Sequence, residues 1–177
     1  PFRCNNVKIA EDGEILVKGE NVMLGYWNKK AETDKVLVDG WLHTGDIGKF
    51  VNGFLKITDR KKDILITPGG DNISPVKVET ALNNSNYIDQ SLVYGDNKPY
   101  LVALLVLNSE IDINEKKLND EIEKINKNLT KIEKIKKFFV IKEKFSIENG
   151  MMTPTLKLKR YKIISTYKNN FEELYKK

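Results

Sequence analysis

The apolar run YLVALLVL at residues 100–107 decides the class of fold. A second short apolar segment, SLVY at residues 91–94, precedes it, and both are typical of buried strands. Further upstream, residues 75–82 predict a helix, with Ser74 as a suitable N-cap and a proline at the first position. Residues 64–66 predict a short strand. The order strand, helix, strand, strand favours a compact α+β domain.

Downstream of this run, apolar residues recur at helical spacing within the charged segment 114–137. They form one stripe made of Leu118, Ile122, Ile125, Leu129 and Ile132. We expect the stripe to pack on the local sheet rather than in a coiled coil, for which about two heptads are marginal. Residues 138–141 predict another strand, and residues 160–175 a closing helix.

The first third of the chain is predicted to be rich in strands and tight turns. Residues 8–10 and 14–18 flank a Glu-Asp-Gly hairpin signal, and residues 54–58 alternate in polarity after an Asn-Gly turn. Residues 28–38 predict one short helix. Charge then concentrates at residues 59–63, where the pattern changes, and we place a domain boundary there.

An ordered series of motifs indicates a nucleotide site. The series consists of GWLHTGDIG at 40–48, DRKKD at 59–63, GGDNISP at 69–75 and MTPTLKLKR at 152–160. In the first motif, the Asp46 carboxylate offers two oxygens to the hydroxyls of a ribose diol, and the preceding glycine allows close approach. A structural alternative is that Asp46 only caps a turn.

In order and spacing, these motifs resemble the C-terminal part of AMP-forming long-chain acyl-CoA synthetases, in the adenylate-forming superfamily. The resemblance implies that residues 1–60 end a large N-terminal domain as a β-rich remnant. Residues 61–177 would form a small, mobile C-terminal α+β domain with a short mixed sheet and packed helices. The family's phosphate-binding loop and acyl pocket lie upstream of these motifs, so the chain is expected to be a fragment and inactive alone.

The resemblance also implies roles for the polar motif residues. Asp46 would hold the ribose of ATP and of the acyl adenylate, and Arg60 would contact the ribose or phosphate side of the nucleotide. The alternative for Arg60 is a surface ion pair with Asp59 or Asp63. Lys157 would be the catalytic residue, contacting the substrate carboxylate and the α-phosphate. Its alternative is an exposed basic edge strand formed with Lys159 and Arg160.

The resemblance also implies one position for domain movement and two positions for coenzyme A binding. Lys62 matches the hinge about which the C-terminal domain turns, with a solvated surface charge as its alternative. Gly69 and Gly70 would let the chain pass close to the pantetheine arm of coenzyme A, although a plain β-turn explains them equally well. The chain departs from the family at Ile66, where many relatives carry a lysine that acts in thioester formation.

The implied activity joins a fatty acid to coenzyme A with ATP, through an acyl adenylate. Mg²⁺ would be bound mainly by the absent N-terminal part. Two alternatives stay open: another adenylating ligase that acts on aryl or amino acids, and a non-catalytic binding module. Sequence predicts neither the acyl chain length nor the oligomeric state.

Composition narrows the remaining classes. The net charge of +5 would help to attract ATP, coenzyme A or an acidic membrane surface peripherally, while the dispersed charges argue against nucleic acid. A single cysteine, Cys4, and a single histidine, His43, exclude an internal disulfide and a His-based metal site, so we expect no metal ligands here. His43 is expected to pack beside Trp41. The expected location is intracellular, in the cytoplasm or on the cytosolic face of a membrane.

Overall fold

The computed structural model describes residues 5–176, so Cys4 lies outside the described part. The chain divides into two compact units after Ile64. No helix within residues 5–176 is both long and apolar enough to cross a bilayer.

The first unit is built on an antiparallel sheet. Its elements are β1 (Asn5–Ile9), β2 (Glu14–Gly19), α1 (Lys30–Val36), β3 (Leu37–Val38), β4 (Trp41–Val51), β5 (Phe54–Arg60) and a 3-10 turn (Lys61–Asp63). The strands run in the order β1-β2-β4-β3, and β5 also pairs with β4. The hairpin predicted around the Glu-Asp-Gly turn and the strand after Asn52-Gly53 are confirmed. The short helix predicted over residues 28–38 forms only over Lys30–Val36, because Leu37 and Val38 pair with β4 as a strand.

Over residues 65–176, the second unit combines a mixed three-stranded sheet and a separate two-stranded sheet with four helices. Its elements are β6 (Leu65–Ile66), β7 (Asn72–Ile73), α2 (Pro75–Asn83), β8 (Ile88–Tyr94), β9 (Leu101–Leu107), α3 (Glu115–Lys127), β10 (Ile135–Ile141), α4 (Arg160–Thr166) and α5 (Lys168–Glu173). Central β9 is antiparallel to β8 and parallel to β10. Ser74 caps α2 as predicted, because its hydroxyl accepts the Lys77 backbone N–H at 3.2 Å.

The central strand β9 is apolar throughout because both of its faces are buried. Alternate residues enter two cores, since successive side chains of a strand point to opposite faces. One core contains Leu101, Ala103, Leu105, Val78, Leu82, Leu118, Ile122 and Ile125. The other contains Val102, Leu104, Val106, Phe145, Met151, Ile163 and Phe171. Each fully buried Val or Leu side chain contributes about 1.5–3 kcal/mol. The predicted α+β class is confirmed.

Helix α3 packs on the sheet as predicted, but it is shorter than the apolar stripe indicates. It ends at Lys127, and Ile132 lies beyond it with 41% of its surface exposed. The Asn126 side chain bonds both the N–H and the C=O of Ile135 at 2.9 Å. The Thr130 N–H donates to Glu133 Oε2 at 3.0 Å. Side chains that bond the backbone in this way compete with helical hydrogen bonds, and the chain turns into β10.

The closing helix predicted at residues 160–175 is instead two short helices that meet at Tyr167. The Ser165 and Thr166 hydroxyls both donate to the Lys162 carbonyl, at 2.8 and 2.9 Å. Such bonds draw a carbonyl away from the regular helical pattern and bend the helix. Phe171, 1% exposed, then fixes the second helix on the sheet.

Candidate functional site

Asp46 lies inside strand β4. Between the pairs Glu14–Ile47 and Leu16–His43, β4 contains more residues than β2. The extra residues form a β-bulge in β4. Gly45, at a φ of +70°, allows the bulge without strain. The Asp46 N–H donates to Thr44 Oγ1 at 3.1 Å. Asp46 is thus held on a strand at a bulge and does not cap a turn.

Asp46 and Arg60 form an ion pair between neighbouring strands. They are direct partners in the β4–β5 register, and Arg60 Nε lies 2.8 Å from Asp46 Oδ1. Among residues 5–176, Arg60 pairs with Asp46 and does not form the alternative ion pairs with Asp59 and Asp63. A carboxylate has about four acceptor positions and a guanidinium five donors, so both groups keep capacity for a ligand. Their side chains are 25% and 55% exposed.

Behind this pair lies a buried carboxylate that sequence reasoning missed, Glu14, whose side chain is 4% exposed. It accepts the Gly45 N–H at 2.8 Å, Lys61 Nζ at 2.9 Å and a bond with His43 Nδ1 at 3.0 Å. Burial, the largest influence, raises the pKa of Glu14, but the bonds from Lys61, His43 and Gly45 together hold that pKa below its ordinary value of 4.5. His43 is therefore a partner of this carboxylate.

Lys61 joins two carboxylates of the first hairpin. Its ammonium lies 2.6 Å from Asp12 Oδ2 and 2.9 Å from Glu14 Oε2. The bonds to Asp12 and Glu14 raise the pKa of Lys61 above its ordinary value, and the bond from Lys61 lowers that of Asp12. The end of β5 is therefore tied to the bulge that carries Asp46.

Asp59, next to Arg60, is a second buried acid, 7% exposed. Its Oδ1 accepts the Arg60 backbone N–H at 2.9 Å. Its Oδ2 is buried and has no hydrogen-bond partner within residues 5–176. Lys62 follows in the exposed 3-10 turn, just before the division between the two units. The hinge role of Lys62 stays a prediction.

Gly69 and Gly70 lie in the turn that joins β6 to β7. The Gly70 N–H donates to the Thr67 carbonyl at 2.9 Å, and the Thr67 N–H donates to the Asp71 carbonyl at 2.9 Å. Gly70 has a φ of +85°, which a side chain would strain. The turn therefore requires glycine at position 70 for a conformational reason.

The same turn borders a cavity of about 660 Å³ in the second unit. Gly69 and Thr67 line one side, Tyr100 and Ile132 contribute apolar surface, and the lining includes four lysines: Lys98, Lys131, Lys134 and Lys136. Asp71 is the one carboxylate among the lining residues. None of these lysines forms an ion pair within residues 5–176. The cavity is therefore strongly cationic.

Lys157 lies on an exposed loop of the second unit. The loop is closed by Thr153, whose N–H donates to the Lys157 carbonyl at 2.8 Å and whose hydroxyl accepts the Lys157 N–H at 3.1 Å. Leu156 has a φ of +59°, so the turn is tight. Thr153 therefore shapes the loop that carries Lys157.

The alternative of an exposed basic edge strand is wrong. The described pairing in this segment is a single bridge between Met152 and Leu158, and α4 begins at Arg160. Arg160 is not an exposed charge, because its side chain is 16% exposed and its guanidinium bonds the Glu79 carboxylate. Alternating charges suggested a strand because the tight turn at residues 153–157 is not evident from the sequence.

Comparison with known proteins identifies the family. The sequence model of the AMP-binding enzyme C-terminal domain matches residues 62–177, more than half of the chain. The chain belongs to the adenylate-forming superfamily. The second unit is the C-terminal domain of AMP-binding enzymes, and the predicted membership of this superfamily is confirmed.

Similar curated proteins are long-chain fatty acid ligases. The chain is 33% identical over 200 residues to the long-chain-fatty-acid–CoA ligase FadD15 of Mycobacterium tuberculosis, an alignment that covers 100% of this chain and 33% of that protein. It is 36% identical over 211 residues to long-chain-fatty-acid–CoA ligase 5 of Rattus norvegicus, covering 99% of this chain and 31% of that protein. The chain thus spans about a third of the length of these relatives.

Similar solved structures include superfamily members other than the long-chain fatty acid ligases. The adenylation domain of the Mycobacterium chelonae carboxylate reductase matches with a TM-score of 0.84 and 25% identity, over 97% of this chain and 30% of that one. The Bacillus subtilis o-succinylbenzoate CoA synthetase in complex with its acyl adenylate matches with a TM-score of 0.75 and 31% identity, over 92% and 34%.

The structure brings together some of the predicted site residues. Asp46 and Arg60 are in contact in the first unit. Lys157 and the pair Gly69–Gly70 belong to different loops of the second unit. Within residues 5–176, no group of three or more His, Cys, Asp or Glu side chains could hold a metal ion. Glu14 could not be found from sequence, because its importance depends on a bulge that forms between distant segments.

Proposed function

We propose that the chain is the C-terminal part of a long-chain fatty acid–CoA ligase. The fatty acid carboxylate attacks the α-phosphate of ATP, which forms an acyl adenylate and releases pyrophosphate. The coenzyme A thiol then attacks the acyl carbon and releases AMP. The long-chain ligases among the relatives support this substrate class.

The Asp46–Arg60 pair is the observation that carries the nucleotide part of the proposal. An acid and a guanidinium, 2.8 Å apart on neighbouring strands, offer acceptors for ribose hydroxyls and donors for phosphate oxygens. The pair also orients each group before the ligand arrives, because Glu14, Gly45 and Lys61 hold the bulge behind it. We infer that Asp46 binds the ribose and that Arg60 faces the ribose or the phosphates.

Lys157 is proposed as the catalytic residue of adenylation. Negative charge builds on the α-phosphate as the carboxylate attacks it, and a fixed cation stabilises that charge. Loss of one such donor typically lowers the rate by about 10²- to 10³-fold. Because the loop is exposed and tightly turned, the Lys157 ammonium can contact a nucleotide bound outside the second unit. The hinge at Lys62 would allow the domain to adopt a different orientation for the second half-reaction.

The lysine-lined cavity supports coenzyme A as the acyl acceptor. It contains four cationic side chains against one carboxylate, and Gly69 lies at its border. Coenzyme A carries phosphate groups at the end opposite to its thiol. If the pantetheine arm passes Gly69 and Gly70, as the resemblance implies, its phosphates come close to these lysines. Cationic clefts of this kind raise the local concentration of anionic substrates.

The remaining expectations stay proposals. Mg²⁺ is proposed to accompany ATP and to be bound mainly by the N-terminal part of the intact protein. This chain alone is proposed to be inactive. We propose an intracellular location, in the cytoplasm or on the cytosolic face of a membrane, with peripheral membrane contact supported by the net charge of +5.

A second candidate is another adenylating ligase, favoured by the structural similarity to the carboxylate reductase adenylation domain and to the o-succinylbenzoate synthetase. A substrate panel on the full-length protein separates the two candidates. Palmitate and oleate are expected to stimulate AMP release at least tenfold more than benzoate, o-succinylbenzoate or amino acids, and the release should require coenzyme A for turnover. A preference for aryl acids would replace the fatty acid proposal with the other adenylating ligase. If none of these acids stimulates AMP release, the non-catalytic binding module becomes the favoured function.

A further inference from the structure

The loop that presents Lys157 has internal bonds that fix its shape but not its position. Thr153 closes the turn, and the Met151 carbonyl accepts the Lys159 N–H at 2.8 Å at the base. Residues 154–157 are all exposed. The position of the loop therefore depends on what holds its two ends.

The upstream end is held by apolar packing and by bonds to the turn that precedes it. Met151, 4% exposed, lies in the core that also contains Leu104 and Phe171. The Met151 and Met152 N–H groups donate to the Ser146 carbonyl at 3.1 and 2.9 Å. These bonds lie before the loop, so the side of the loop that carries Lys157 depends on its downstream end.

The downstream end is held by a directional bond. The Arg160 guanidinium binds Glu79 Oε2, and the two side chains are 16% and 8% exposed. The other oxygen, Glu79 Oε1, accepts the Val93 N–H of β8 at 2.7 Å. A single carboxylate therefore connects the end of the loop to α2 and to the central sheet.

The short helix α4 is held on the sheet by Ile163, which is fully buried, but it adds little at its own first residues. It contains seven residues, and its N-cap Lys159 makes no side-chain capping bond. Isolated helices of this length are unstable. A buried ion pair contributes little net stability compared with apolar packing, but it specifies a geometry. Arg160 is thus placed to determine where the preceding three residues lie.

We propose that the Arg160–Glu79 ion pair positions Lys157 for adenylation, a proposal that rests on the proposed function above. Arg160 and Glu79 are positioning residues, and Lys157 is the group that touches the reacting phosphate. A displacement of about 1 Å at a catalytic group can lower a rate by 10²-fold. The pair should therefore matter for the half-reaction that uses Lys157 and not for thioester formation.

The test uses the full-length enzyme and measures the two half-reactions separately. Arg160→Met is compared with Lys162→Met, which removes an exposed cation from the same helix. Arg160→Met is expected to lower kcat of fatty-acid-dependent adenylation about 10- to 100-fold, with the KM for ATP and the rate from supplied acyl adenylate changed less than twofold. Lys162→Met should leave both half-reactions at the wild-type rate.

Coupling to Lys157 distinguishes positioning from a general structural role. In a Lys157→Ala background, adding Arg160→Met should cost less than a further twofold, because residues that act through one another are not additive. Equal losses in both half-reactions, or a full multiplicative loss in that background, would overturn the proposal. If Arg160→Met fails to fold, Arg160→Lys and Glu79→Gln carry the same comparison, each with a smaller expected loss.

Failure of this inference can be told apart from failure of the proposed function. If the wild type adenylates fatty acids and Lys157→Ala does not, but Arg160 variants adenylate normally, then only the positioning role is wrong. If the wild type forms no fatty-acid-dependent acyl adenylate, the proposed function is overturned, and the positioning role with it.

Discussion

Replacement of Asp46 by alanine is expected to weaken ATP use much more than it weakens the fold. The Asp46–Arg60 pair is partly exposed, at 25% and 55%, and such a pair contributes about 0–1 kcal/mol to stability. A hydrogen bond from a ligand hydroxyl to a charged group is worth about 1.5–3 kcal/mol. The KM for ATP in the full-length enzyme should therefore rise roughly 10- to 150-fold.

The assay is pyrophosphate release at saturating fatty acid, titrated with ATP. Asp46→Asn keeps one acceptor oxygen and should give an intermediate KM. Asp34→Ala is the matched control, because it removes an exposed ion pair of the same unit, made with Lys30 at 3.0 Å. Its KM should equal that of the wild type. The reasoning is refuted if Asp46→Ala leaves the KM for ATP within twofold of wild type while the melting temperature is unchanged.

Three further predictions concern the acid behind the site, the cationic cavity and the core. The pKa of Glu14 is held below its ordinary value of 4.5, so Glu14 stabilises the fold above about pH 4.5, and this contribution is lost as the pH falls through the lowered pKa. Urea titrations from pH 7 to pH 3 measure the free energy of unfolding, which should fall less steeply with decreasing pH in Glu14→Gln than in the wild type. A variant with the same pH dependence as the wild type would contradict this. Lys134→Gln with Lys136→Gln should raise the KM for coenzyme A about 3- to 10-fold at low salt and less at 0.5 M salt, with the KM for ATP as the control. Leu104→Ala should cost about 2–5 kcal/mol in the free energy of unfolding, because Leu104 is fully buried; a denaturation midpoint near that of wild type would be inconsistent with the two-sided core.

The central sheet was predictable because its residues obey a simple rule. A strand with both faces buried must be apolar throughout, and residues 101–107 have no other simple explanation in a chain of mixed charge. Ser74 was predictable for a similar reason, since a hydroxyl before a proline at a helix start has one common use.

The errors arose where side chains bond the backbone locally. Periodicity predicted that the stripe would continue to Ile132, but Asn126 and Glu133 bond backbone groups and redirect the chain. The alternative that Asp46 only caps a turn is wrong, because the bulge that holds Asp46 depends on the paired strand β2, which the sequence does not reveal. Glu14 and Glu79 were missed, because each acts through contacts between segments far apart in sequence.

The most direct test of the central claim is a single-turnover comparison of wild type and Lys157→Ala full-length enzyme. Adenylation is measured from ATP and a long-chain fatty acid, and thioester formation from supplied acyl adenylate and coenzyme A. Lys159→Ala, an exposed lysine two positions away, is the control. We predict that only Lys157→Ala loses adenylation, by about 10²-fold or more, and that it keeps thioester formation. Equal adenylation rates in wild type and Lys157→Ala, or a wild type that forms no fatty acyl adenylate, would contradict the account.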